Sequence, residues 1–105
     1  MDRTTFIRSI ETEHDLGFLC NRYFDQLMGL YGLIPNSDFT ISAHPNSDES
    51  IELKLSFLTE DSCQLISNEI ISRLAQSYGF LTIYGHQFNV NVSTSATEII
   101  ILASR

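Results

Sequence analysis

Apolar and polar residues alternate with different periods along the chain, and each change of period marks an element. From residue 4 to 31, Leu16, Leu19, Cys20, Tyr23, Leu27, Leu30 and Tyr31 recur at helical spacing. Phe24 and Met28 widen the stripe, so the pattern predicts a helix with one apolar side. Thr12-Glu13-His14-Asp15 has the order of a capping box. It offers an alternative start near residue 13, which would leave Phe6, Ile7 and Ile10 to a separate helical turn. Gly32 and Pro35 end the helix, because glycine accepts the left-handed cap and proline cannot continue the ladder.

The period then drops to two. Phe39, Ile41 and Ala43 alternate with Thr40 and Ser42, and a turn follows at His44-Pro45-Asn46-Ser47-Asp48. Beyond it Ile51, Leu53, Leu55 and Phe57 alternate with Glu52, Lys54 and Ser56. That is the signature of a hairpin buried on one face. Helical spacing returns from about 60 to 78, with Thr59 as cap and Glu60 and Asp61 at the positive end of the helix dipole. Cys63, Ile66, Ile70 and Leu74 make one row, Ser67, Ile71 and Tyr78 the next, and Gly79 closes the helix. Phe80–Tyr84 reads as a short strand with a Gly85-His86 turn. Phe88, Val90 and Val92 alternate with Asn89, Asn91 and Ser93, and Glu98–Ala103 forms a last strand.

The order α-β-β-α-β-β-β over residues 1–105 predicts one α+β domain. Two helices pack on one face of a largely antiparallel sheet of four to five strands. Phe39, Ile41, Ile51, Leu53, Leu55, Phe57, Phe88, Val90 and Val92 should face the helices, leaving a small, polar outer face. The last strand breaks this rule. Ile99-Ile100-Ile101-Leu102 is apolar in both parities, so either Ile100 and Leu102 or their neighbours must point away from the helices. Such a stripe has three explanations: shielding by long neighbouring side chains, cover by the segment carrying Phe6, Ile7 and Ile10, or contact with a partner. A shift of 47 residues also lays Leu16 on Cys63, Tyr31-Gly32 on Tyr78-Gly79 and Leu55 on Leu102. Shared periodicity accounts for that match as well as a duplication does.

Charge changes the picture more than composition. Thirteen acids oppose six bases, of which Lys54 is the one lysine, for a formal net charge of −7. Phosphate binding needs a basic patch, so nucleic acid is not an expected partner. Apolar residues at 43% and charged residues at 18% fit a globular domain rather than a disordered chain. No run approaches a membrane span and no secretory leader opens the sequence, which makes the cytoplasm the expected compartment. Cys20 and Cys63 both fall inside predicted helices and read as buried free thiols.

Chemistry-bearing motifs do not emerge. His14, His44 and His86 show no helical pair spacing, and there is no Cys-x-x-Cys, nucleophile elbow or glycine-rich phosphate loop. No metal or cofactor is expected. The acids cluster: Asp48, Glu49 and Glu52 around the first hairpin tip, Glu60 and Asp61 at the second helix, Glu11, Glu13 and Asp15 in the first. Such clusters serve either as a solvated surface or as a patch that docks a basic protein.

Three functional expectations follow. The first is a non-enzymatic acidic protein that neutralises a basic partner, as the immunity protein of a bacterial nuclease-type toxin system would. A nuclease is basic in order to hold its substrate, so its inhibitor gains by being acidic. The expected contact residues are Asp48, Glu49, Glu52, Ile100 and Leu102. The second is a homodimeric adaptor or secretion-type chaperone that binds an extended client segment along the aliphatic stripe. The third is a small enzyme with a site assembled from His86, His44 or Tyr84.

Overall fold

A computed structural model describes residues 3–46 and 50–104; the side chains of residues 3–16 fall outside that description. The elements are α1 (Arg3–Leu30), β1 (Phe39–Pro45), β2 (Ser50–Phe57), α2 (Glu60–Gln76), β3 (Phe80–Ile83), β4 (His86–Thr94) and β5 (Glu98–Ser104). All the strand pairs are antiparallel, in the spatial order β1-β2-β5-β4-β3. The chain is therefore an α+β fold with two helices and a five-stranded sheet. No described helix is long and apolar enough to cross a membrane.

Period-two alternation sets which side of each strand is inner. Register then aligns those sides across the sheet: Ile41 opposes Leu55, Leu55 opposes Ile99, Leu53 opposes Ile101, and Val92 opposes Ile101 from the other side. Leu81 and Ile83 of β3 and Phe88 of β4 extend the same surface and are buried. The helices cover it with Cys20, Phe24, Leu27 and Met28 from α1 and Cys63, Ile66 and Ile70 from α2. Each fully buried aliphatic side chain there contributes roughly 1.5–3 kcal/mol relative to exposure.

Several expectations are corrected. α1 runs unbroken from Arg3, so there is no separate turn before residue 13. Its buried row is Cys20, Phe24, Leu27 and Met28, whereas Leu30 is exposed, because the last turn runs past the covering layer. In α2 the second row stays out: Ile71 is exposed, and Tyr78 is 93% exposed beyond the helix end. The β3–β4 turn is Tyr84-Gly85, not Gly85-His86. Both residues have positive φ (48° and 84°), the mirror-image turn that a twisted two-residue hairpin favours. The 47-residue shift sets buried Leu55 on exposed Leu102.

The caps fall where the chain pattern placed them. Thr59 Oγ1 accepts from the Ser62 amide at 3.2 Å at the start of α2. At the other end Gly79, at φ 91°, donates its N–H to the Leu74 carbonyl at 2.8 Å. A polar tether joins the two helices. Arg73 donates to the Tyr23 hydroxyl at 2.8 Å and to Glu69 at 2.9 Å, and the Tyr31 hydroxyl donates to Glu69 at 2.9 Å. The Arg73 hydrogen bond, reinforced by that of Tyr31, holds the Glu69 carboxyl below its ordinary range.

Candidate partner-binding surface

The outer face of the sheet carries the alternate residues of every strand. Across its middle, Ser42, Lys54, Ile100 and Ser93 stand in register; the next row is His44, Glu52, Leu102 and Asn91. The order β2-β5-β4 therefore sets two aliphatic residues at the centre of a polar field. The two differ. Lys54, cross-strand from Ile100, reaches Glu98 with its ammonium at 3.1 Å. A lysine engaged in that way lays its methylene stem along its apolar neighbour, and Ile100 is half-buried. Leu102 has Glu52 and Asn91 beside it and is 44% exposed. Ile100 is thus the more covered of the two and Leu102 the more exposed.

Of the five residues expected at a contact, three come together here: Glu52, Ile100 and Leu102. Asp48 and Glu49 lie outside the described residues. Cover of this stripe by Phe6, Ile7 and Ile10 likewise concerns side chains outside the description. Glu60 and Asp61 open α2, with exposed side chains.

His44 and His86 are not brought together, and the His14 side chain lies outside the description. His44 lies in the edge strand β1, its ring nitrogen 3.0 Å from Ser42 Oγ, and His86 begins β4. Three strand spacings separate those strands, about 14 Å. The Tyr84 hydroxyl donates to Gln26 at 2.6 Å and so pins the β3–β4 turn to α1. Among the described residues no group of three or more His, Cys, Asp or Glu converges as metal ligands. Cys20 and Cys63 are buried and outside any disulfide, as their helical positions implied. Burial pushes the Cys63 thiol up from its ordinary range, which keeps it protonated.

One feature of the surface was not anticipated. An open cleft of about 480 Å³ lies between α1 and β1, lined by Gly17, Phe18, Asn21, Arg22, Asp25, Ala43 and Pro45. The signal for it was present, because Phe18, Asn21, Arg22 and Asp25 share one helical face outside the apolar stripe. Comparison with family models, with curated protein sequences and with solved structures finds no match in any of the three.

Proposed function

We propose that this chain is a non-enzymatic, acidic binding protein that neutralises a basic protein partner, in the manner of an immunity protein of a bacterial nuclease-type toxin system. The observation that carries the reading is Leu102: an exposed aliphatic residue beside Glu52, in the middle of a polar sheet face, on a chain of net charge −7. An apolar centre with a polar, acidic surround is the anatomy of a protein contact. The charge speeds encounter with a basic partner and repels nucleic acid. Two cysteines outside any disulfide accord with a reducing compartment, hence the cytoplasm.

The test is capture from the native host, with retained proteins identified by mass spectrometry. Wild type should retain a basic protein, and added salt should slow its association. Reversing the charge of Asp48, Glu49 and Glu52 together should slow association by about tenfold or more. Retention indifferent to salt and to the reversal would overturn the reading. Light scattering on the isolated chain separates the alternative that the Ile100–Leu102 stripe favours: a dimer without any partner would point to a homodimeric adaptor or secretion-type chaperone.

A further inference from the structure

β1 is an edge strand, and its ladder parity shows which of its groups are free. The Leu58 amide donates to the Asp38 carbonyl at 2.9 Å, just before the β1–β2 register begins. Bonded pairs in an antiparallel ladder recur at every second residue. Thr40, Ser42 and His44 therefore turn N–H and C=O toward β2, while Phe39, Ile41 and Ala43 turn theirs outward. Phe39 confirms the parity, since its carbonyl accepts from the Asn36 amide at 2.8 Å on the far side of β1. Pro35 forms an isolated bridge to Phe39 there. Ile41 and Ala43 thus direct their amides and carbonyls at the sheet's open edge. The strand carries no lysine and no bulge over that stretch, the usual means of closing an edge.

Above this edge stands α1. Ile41 and Ala43 point toward the helix layer and are only partly buried. The cleft beside Ala43 and Pro45 is walled by Phe18 and Arg22. A second, of about 200 Å³, continues along Phe39 and Ile41. Asn21 and Asp25 line both, and Asp25 is the charged residue lining the second. Together they form a groove between a helix and a strand edge that is unpaired among the described residues at Ile41 and Ala43, the geometry in which an extended peptide adds to a sheet.

A second copy of this chain does not fit. Pairing β1 with its symmetry mate about Ser42 would set the mate's Pro45 opposite Phe39, where Pro35 and Asn36 already lie. Pairing nearer the other end meets Pro45, which has no N–H to give. The edge admits a short strand opposite Thr40–His44, roughly 17 Å at about 3.4 Å per residue.

We propose that the free edge of β1 takes an extended segment of a basic protein as a sixth strand, with an apolar side chain against Phe18 and Ala43 and a lysine or arginine two residues away at Asp25. The basic character of the occupant rests on the function proposed above and on Asp25; the strand geometry does not depend on that reading. Main-chain hydrogen bonds to Ile41 and Ala43 hold the segment, and the alternate side chains select it.

The test uses the full chain, labelled with ¹⁵N, and an end-blocked hexapeptide Thr-Val-Thr-Lys-Thr-Val, in which valine and lysine alternate along one face. Its valine–glutamate counterpart is the control. Amide exchange at Ile41 and Ala43 should slow by about tenfold or more on adding the lysine peptide at saturation, and much less with the glutamate peptide. Asp25→Lys, on the exposed side of α1, should weaken binding about tenfold with its melting temperature unchanged, and Leu102→Ser should leave binding intact. Protection centred on Ile100 and Leu102, equal binding of the two peptides, or no protection at Ile41 and Ala43 would overturn the proposal. The two readings fail separately. A captured basic partner lost with Glu52→Lys but held equally by Asp25→Lys removes the edge site alone. An edge that protects with the lysine peptide while no basic partner is ever captured removes the acidic-inhibitor reading alone.

Discussion

Ile101 and Leu102 are neighbours in β5, nearly equal in size and hydrophobicity, yet Ile101 is fully buried and Leu102 is 44% exposed. Ile99 and Ile100 repeat the contrast one turn of the pleat earlier. β5 is the middle strand of five, so both faces are equally flanked within the sheet. The difference comes from the third dimension. On the inner side α2 packs against the strand, and its Ile66 and Ile70 lie in one buried cluster with Ile99 and Ile101. On the outer side Lys54 reaches across from β2 and Asn91 from β4 stands in register with Leu102. The same chemistry is core on one face and a candidate contact on the other, because helices were laid on one face only.

The largest expected effect tests the inner face. Ile101→Ala should lower unfolding free energy by about 2–5 kcal/mol, since a tightly covered site cannot collapse into the space left. Ile100→Ala should cost less than about 1 kcal/mol. Urea unfolding of the pair, at unchanged slope, measures both, and equal losses would break the comparison.

An intermediate effect tests the lid over that face. Glu69 has its carboxyl held below the ordinary range by Arg73 and Tyr31. A carboxyl lowered in the folded state adds stability that is present above its unfolded value and is lost as pH falls through the folded one. Wild type should therefore lose more stability on acidification from neutral pH than Glu69→Gln, and the two curves should converge once Glu69 is protonated. Thermal melts at stepped pH compare them, and parallel curves would remove the tether from the account.

The smallest effect concerns the outer face. Leu102→Ser should change stability by no more than about 1 kcal/mol, because close to half of the residue is already in water. A loss resembling that of Ile101→Ala would mean Leu102 is covered in the isolated chain, and the contact surface would have to lie elsewhere.

Much of the architecture was legible in single residues. The alternation Ile51-Glu52-Leu53-Lys54-Leu55 names a one-sided strand, and Thr59 followed by Glu60 and Asp61 names a helix start. The Gly79 cap needed no tertiary information either. The candidate surface was legible only in part. Glu52, Ile100 and Leu102 could each be named, yet their adjacency depends on β5 inserting between β2 and β4, a long-range pairing that no local pattern encodes. The groove beside β1 was hidden for a related reason. A strand's sequence does not say whether it ends at an edge, and Asp25 joins Ile41 only through the packing of α1.

Periodicity by itself determined the elements and, within most of them, which residues share a side. It did so because side-chain direction follows backbone geometry, 3.6 residues to a helical turn and two to a pleat. The orientation of β5 was undetermined at that level, since four successive apolar residues satisfy both parities. Tertiary structure decided it through register: Leu53 opposes Ile101 and Leu55 opposes Ile99. A slip of one residue would turn every side chain of the strand over. Strands already committed by their own alternation, and helices that cover only one side, left β5 a single orientation.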